Sequence, residues 1–296
     1  MKDKTLRNYL LWAFGLAWPL QGVASYFTLQ GQTQLFSVCA TLVMFAPIAA
    51  VFLAKYPLRS IGWKLNLKGK VRWYLAAWLL PPVICALGAA LYYLLFPAHL
   101  DLSLSALSAS LGEAGQAQLD AQGMSLGRLA LIEIAASMAY APFINVVPCV
   151  GEETGWRGFL TPRLTERFGR VKGLLLAGAI WGVWHWPLIM FAGYEYGLTY
   201  WGAPVLGPLL FCVITTALGI LFSFLYDKVG SIWICALAHG AFNAFANAPG
   251  LFLDPGSGYQ QTVGPYAVGV ISGLPLMLLA ALVFFKGGRE AEKEAD

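Results

Sequence analysis

Apolar residues in this chain come in runs of about twenty, not in the alternation of strands or the stripes of surface helices. A helix needs about 20 mostly apolar residues to cross the hydrocarbon of a bilayer. Eight stretches meet that requirement, at about 8–28, 34–54, 73–96, 127–148, 172–192, 204–226, 231–248 and 264–285. The pattern predicts an all-α, polytopic membrane protein of about eight transmembrane helices. The first run is too long for the apolar core of a secretory leader and has no clean small-residue cleavage site, so it reads as a retained span. The seventh is short and carries a histidine and two asparagines.

Charged positions orient these runs, because Lys and Arg collect in cytoplasmic loops. Lys2, Lys4 and Arg7 precede the first run, and Lys55, Arg59, Lys64, Lys68, Lys70 and Arg72 separate the second from the third. Arg157, Arg163, Arg167, Arg170 and Lys172 follow the fourth, Lys228 the sixth, and Lys286, Arg289 and Lys293 the eighth. Arg128 is the exception, so 18 of 19 basic residues fall on one side. Both termini are expected in the cytoplasm, with the protein integral to the cell membrane. In the longest outer loop, about 97–126, Leu104, Leu107 and Leu111 recur at helical spacing and predict an interfacial amphipathic helix. One integrated membrane domain is expected: residues 1–126 supply N-terminal helices and the outer loop, and 127–296 the core that holds the intramembrane polar groups.

Composition agrees with a lipid environment. Of 296 residues, 58% are hydrophobic and 11% charged, where a soluble domain has roughly a quarter charged. A net charge of +4 with no clustered basic face excludes nucleic acid as a partner. The five cysteines stand singly with no C-x-x-C pair, against both a disulfide framework and a thiolate metal site. The 32 glycines suit helices that must approach closely without a hydrophobic driving force.

Against this background each intramembrane ionisable residue is a functional candidate, since placing one there costs about 3 kcal/mol on insertion scales. Glu133 lies in the fourth run, near the outer leaflet, and reads as structural. Just past the inner end of that run, Val147-Pro-Cys-Val-Gly-Glu-Glu-Thr-Gly-Trp-Arg157 places Glu153 and Arg157 four apart, the favourable order for a helical ion pair. Pro148 is expected to break the helix arriving from the fourth run. Glu152 then points about 100° away from the pair, free to face a cavity as a general base. In the fifth run Trp181 and His185 share a face, and in the seventh His239 and Asn243 share a stripe, with Asn247 a turn beyond. Each alone has a structural alternative, as a salt-bridged turn, a packed histidine or an interhelical clamp. Together they supply what amide hydrolysis needs: a base for water, donors for an oxyanion, and a proton for the leaving amine.

At these residues the chain resembles the CPBP family of CAAX-protease and bacteriocin-processing intramembrane proteases, which includes the Rce1-type prenyl-protein proteases. Its Glu-Glu-x-x-x-Arg, Phe-x-x-x-His and His-x-x-x-Asn motifs correspond to Glu152-Glu153-Thr-Gly-Trp-Arg157, Trp181-Gly-Val-Trp-His185 and His239-Gly-Ala-Phe-Asn243, with Trp in place of the usual Phe. The resemblance covers about 150–247 and implies eight helices with catalytic residues in the cytoplasmic half. It implies an endopeptidase acting near the cytoplasmic face on a lipidated or hydrophobic peptide or protein. Glu152 would activate water with help from His185, His239 and Asn243 would hold the oxyanion, and Glu153 and Arg157 would support them. A zinc on Glu152, His185 and His239 and a metal-free glutamate mechanism use the same residues. Asn243 suits an oxyanion donor better than a ligand and inclines the reading to the metal-free scheme.

Two other classes fit parts of the pattern. An immunity or chaperone-like membrane protein that binds peptides without cleaving them would keep the motifs, although none of the six catalytic-type residues is lost. A transporter would use Glu133 and the histidines as a proton relay, but no repeated halves are visible. Competing protease signatures such as H-E-x-x-H and G-x-S-x-G are absent.

Overall fold

The structure is a computed structural model that describes residues 3–293, with side chains to Lys286. Lys2 of the basic set lies outside the described residues, as do the side chains of Arg289 and Lys293. Helices make up the regular structure of the described residues, apart from a single antiparallel bridge, Leu100–Leu253. They are α1 (Lys4–Leu29), α2 (Thr33–Val43), α3 (Ala46–Leu53), α4 (Val71–Leu95), α5 (Ser105–Ala121), α6 (Leu126–Ala139), α7 (Ala141–Gly155), α8 (Thr161–Phe168), α9 (Arg170–Trp184), α10 (Trp186–Ala192), α11 (Leu206–Val229), α12 (Ile232–Phe245) and α13 (Leu274–Lys293).

Four segments are long and apolar enough to cross a bilayer: Thr33–Leu53, Val71–Leu95, Arg170–Ala192 and Leu206–Val229. The bent pair Leu126–Ala139 and Ala141–Phe168 makes a fifth. The first run is a 26-residue helix whose apolar course is interrupted by Trp, Gly and Gln. The seventh is the 14-residue α12, about 21 Å long at 1.5 Å per residue. That is short for a span, yet α12 needs little lipid contact because α4, α7 and α11 encase it. The stretch 264–273, which hydropathy assigns to the eighth run, consists of turns, and the apolar part of the last helix is Leu274–Lys286.

The fourth run departs from expectation in a way that moves the site. Pro148 does not end a helix; α7 passes through it and continues by a π-helical turn, Trp156–Leu160, into α8. The break, a 47° bend, falls at Tyr140. Pro142 sits in the first turn of α7, and a proline is tolerated there while it disfavours helical geometry in the residue before it. Glu152 and Glu153 therefore lie near the middle of the rod Ala141–Phe168, not beyond its inner end.

Small residues let this rod sink into the bundle. A Cβ on Gly151 would strike Met44 and Phe45, where α2 and α3 are broken, and one on Gly155 would strike Pro47 and Tyr9. On the other face Gly240 of α12 passes against Pro142 and Asn145, and the Asn145 amide donates to the Gly240 carbonyl at 3.3 Å.

The basic segments gather at one end. Asn66 donates to the Val229 carbonyl at 3.0 Å, Arg170 pairs with Asp227 at 2.8 Å, and the Ile232 amide donates to the Gly62 carbonyl at 2.8 Å. At the opposite end α5 forms within the loop where an amphipathic helix was expected. Leu104 and Leu107 are buried in a cluster with Ala130, against Leu126, Leu251 and Phe252.

Candidate active site

Glu152, Glu153, Arg157, His185 and His239 are all buried, at 0 to 8% exposure, inside an otherwise apolar bundle. Asn243 is exposed on the flank of α12. Glu152, His185, His239 and Asn243 line one cavity of about 150 Å³, with Trp181, Trp184, Tyr194, Phe211 and Thr215 among its walls. A water requires about 10–15 Å³ on this measure, so the space holds several waters or the carbonyl of a peptide.

Glu152 is gripped on one oxygen only. The indole N–H groups of Trp156 and Trp181 donate to its Oε2 at 2.9 and 2.8 Å, and no protein donor among the described residues reaches Oε1. The π-helical turn after Gly155 carries Trp156; such turns are often found at functional sites. A carboxylate accepting two hydrogen bonds on one oxygen is fixed in direction, with the other presented to the cavity.

Glu153 and Arg157 form the second layer. Arg157 donates through Nε and Nη2 to both oxygens of Glu153, the forked geometry in which a guanidinium is strongest. Its guanidinium lies over the Trp181 and Phe222 rings at 4.3 and 5.0 Å. The same carboxylate takes a hydrogen bond from His239 Nδ1 at 2.8 Å. A carboxylate held by arginine only accepts, so the His239 proton on this side sits on Nδ1, and the ring also meets the Cys149 thiol, to whose Sγ the Asn243 amide donates at 3.9 Å. His185 Nδ1 is 2.9 Å from the Trp181 carbonyl, which also only accepts, so its Nε2 carries the lone pair. His185 stands at the junction of α9 and α10, followed by Pro187, where the helical ladder is already interrupted.

Close helix packing holds the histidines in place. A Cβ on Gly182 would strike Cys212 and Thr215 of α11, and the Thr215 hydroxyl donates to the Gly178 carbonyl at 3.0 Å. Phe211 of α11 meets the His185 ring edge-on at 4.9 Å, and Phe222 stacks on His239 at 5.7 Å.

Among the described residues no three His, Cys, Asp or Glu side chains are placed to share a metal ion. Glu152, His185 and His239 face one cavity but do not converge on one coordination point, and one Glu152 oxygen is committed to two indoles. This donor set does not fit the zinc arrangement.

The cavity is lined by the parts of its helices that lie away from their basic ends. Its lining residues Trp181 to Leu188 fall in the distal half of Arg170–Ala192, Phe211 to Leu218 in that of α11, and His239 to Asn243 in that of α12. Glu133 is exposed on α6 and does not line the cavity, and Asn247 lies outside it, in a neighbouring pocket. The indole donor Trp156 and the wall residues Tyr194 and Glu195 were not legible as site residues, whereas Trp181 stands in the second motif but not visibly as a donor to Glu152. Only Trp156, four residues after Glu152, carried a usable spacing signal.

Residues 134–245 match the family model for type II CAAX prenyl endopeptidases, Rce1-like. A stretch of 47 residues is 38% identical to CAAX prenyl protease 2 of Methanococcus maripaludis, covering 16% of this chain and 17% of that protein. The alignment thus spans about a sixth of the relative. All six polar residues of the site and its supporting pair fall within the matched segment. Over residues 134–245 the chain is similar to the Rce1-like prenyl endopeptidases.

Proposed function

We propose that this protein is an intramembrane endopeptidase that hydrolyses a peptide bond of a lipidated or hydrophobic peptide or protein, without a metal. One observation carries the reading: three separate helical segments bring Glu152, His185, His239 and Asn243 to one cavity, with a single Glu152 oxygen left open to it. In that scheme a water lies against Glu152 Oε1 and His185 Nε2. Glu152 takes its proton as the water oxygen attacks the scissile carbonyl. The oxyanion is held by the Asn243 amide and by Nε2–H of His239 in its doubly protonated form, whose positive charge Glu153 balances. Collapse breaks the C–N bond, and Glu152 passes the proton to the leaving amine. A base and oxyanion donors contribute about 10²–10⁴-fold and 10²–10³-fold respectively in enzymes of this general kind.

The apolar helices mark an integral membrane protein. By the charge rule the basic end is cytoplasmic, as are both termini. Residues 127–296 form the catalytic core, and the N-terminal helices complete it by seating α7. The test is cleavage of a hydrophobic and lipidated peptide library by the purified protein in lipid nanodiscs. The parent should cleave and Glu152→Gln should lose at least a hundredfold in rate while remaining folded. Equal cleavage by both, or binding without cleavage by the parent, would overturn the reading, the latter in favour of a peptide-binding immunity or chaperone-like role.

A further inference from the structure

Beyond the catalytic cavity, toward the end remote from the basic segments, lies a second and wider cavity of about 460 Å³. Its walls include Ser110, Asn247, Gln261 and Tyr266, a polar set unlike the apolar grooves elsewhere on the bundle. Tyr194 and Glu195 line both cavities, so the two spaces meet at this pair of residues. Tyr194 also lies parallel to His185, with ring centroids 6.3 Å apart.

Glu195 is held at this junction against its backbone preference. Its φ is 67°, a left-handed conformation that costs a residue with a side chain of this size energy, and that persists only where the surroundings enforce it. The enforcement is visible. Gly193 and Gly197 flank it with positive φ of their own, the Gly197 amide donates to the Gly193 carbonyl at 2.8 Å, and the buried Tyr196 hydroxyl donates to the Val268 carbonyl at 3.0 Å. The carboxylate so placed has no basic partner: no salt bridge to Glu195 exists among the described residues, and neither cavity has a Lys or Arg in its wall. Burial pushes its carboxyl above the usual range. An acid kept in a strained turn between two cavities, with its counter-charge missing, is a subsite for a cation.

We propose that the peptide substrate reaches the catalytic cavity through this polar vestibule, and that Glu195 binds a lysine or arginine side chain of the substrate on the vestibule side of the scissile bond. The proposal rests on the endopeptidase reading for the substrate's identity, but the charge of the passage is a property of the protein alone. Substrates are accordingly hydrophobic at the bond that is cut and basic next to it. The backbone of the entering segment meets the amides of Asn247 and Gln261.

Two measurements test it in the full-length protein. The first is independent of catalysis: the thiol introduced by Ser110→Cys is modified with a cationic and an anionic methanethiosulfonate of equal size, against the parent as background. Relative to each reagent's rate with a free thiol in solution, the cationic reagent should react at least fivefold faster, and adding Glu195→Gln should bring the two normalised rates together. Equal normalised rates before that change would overturn the subsite whether or not the protein is a protease. The second compares cleavage of paired hydrophobic peptides with Lys or Gln beside the scissile bond. The parent should prefer Lys by at least tenfold in kcat/KM, Glu195→Gln should lose the preference, and Glu195→Lys should reverse it toward Gln. A preference unaltered in Glu195→Gln would refute the proposal even where cleavage is robust. A parent that cleaves neither peptide, while the thiol rates behave as stated, would refute the protease reading and leave the cationic subsite standing.

Discussion

Arg157 and Glu153 make the most demanding interaction in the molecule, because both charges are buried at 3% and 0% exposure and joined by two hydrogen bonds. Removing one partner leaves an uncompensated charge in an apolar interior, which costs about 3–5 kcal/mol, whereas removing both charges together is often nearly neutral. Arg157→Leu should therefore destabilise by about 3–5 kcal/mol, and Glu153→Gln by a similar amount because it also loosens His239. The double variant should recover most of that loss, short by about 1–3 kcal/mol for the His239 N–H left with a weaker acceptor. Reversible unfolding in detergent, read by tryptophan fluorescence, gives the three differences and the coupling energy. Activity should follow a different rule: the double variant, although refolded in stability, should remain as slow as Glu153→Gln, since His239 has lost its charge partner in both. A single Arg157→Leu variant as stable as the parent would refute the buried pair. A double variant with parental activity would refute the link from Glu153 through His239 to the chemistry.

Other consequences can be checked in the same preparations. Trp181→Phe keeps a ring under Arg157 but removes one of two N–H donors from Glu152, a bond to a charged group worth about 1.5–3 kcal/mol; kcat should fall by about 10–100-fold with KM little changed, and an unaltered kcat would show that Trp156 alone positions the base. His185→Phe should abolish cleavage while His185→Gln keeps a trace, and equal loss in both would remove His185 from water activation. Gly182→Leu forces a side chain into Cys212 and Thr215 of α11; it should fail to yield folded protein, and normal yield and melting would refute the close approach. A membrane-impermeant maleimide applied to intact cells should label Ser110→Cys but not Lys64→Cys, and the reverse pattern would place the basic end outside.

The six polar residues of the site could be read from the sequence because an apolar helix tolerates an ionisable group only for a reason, and here nearly all such groups fall on three segments. The pairing of Glu153 with Arg157 followed from helical spacing alone. What spacing does not specify is which of two prolines bends a helix. Pro142 and Pro148 stand six residues apart, and within lipid a proline inside a helix can be accommodated by its neighbours. A break at Pro148 would set the acidic pair just past the end of the fourth run, whereas the bend at Tyr140 leaves it within the rod that follows. The donor roles of Trp156 and Trp181 were equally hidden, since a tryptophan in an apolar run reads as bulk until a carboxylate is seen beside its N–H. Glu195 lies in a loop, where a glutamate is unremarkable, and its strained backbone and missing counter-charge exist only in three dimensions. Short α12 was hard to delimit because its burial by protein frees it from the length a lipid-facing span requires.

The central claim is that Glu152 and His185 face His239 and Asn243 across one water-filled cavity, and an experimental structure with a bound hydrophobic phosphinic peptide tests it most directly. The phosphinate mimics the tetrahedral adduct of water and a peptide carbonyl. One of its oxygens should lie within hydrogen-bond distance of His239 Nε2 and Asn243 Nδ2, and the other within that distance of Glu152 Oε1 and His185 Nε2. A phosphinate bound away from Glu152, or the two imidazoles turned to different sides of the bundle, would contradict the account.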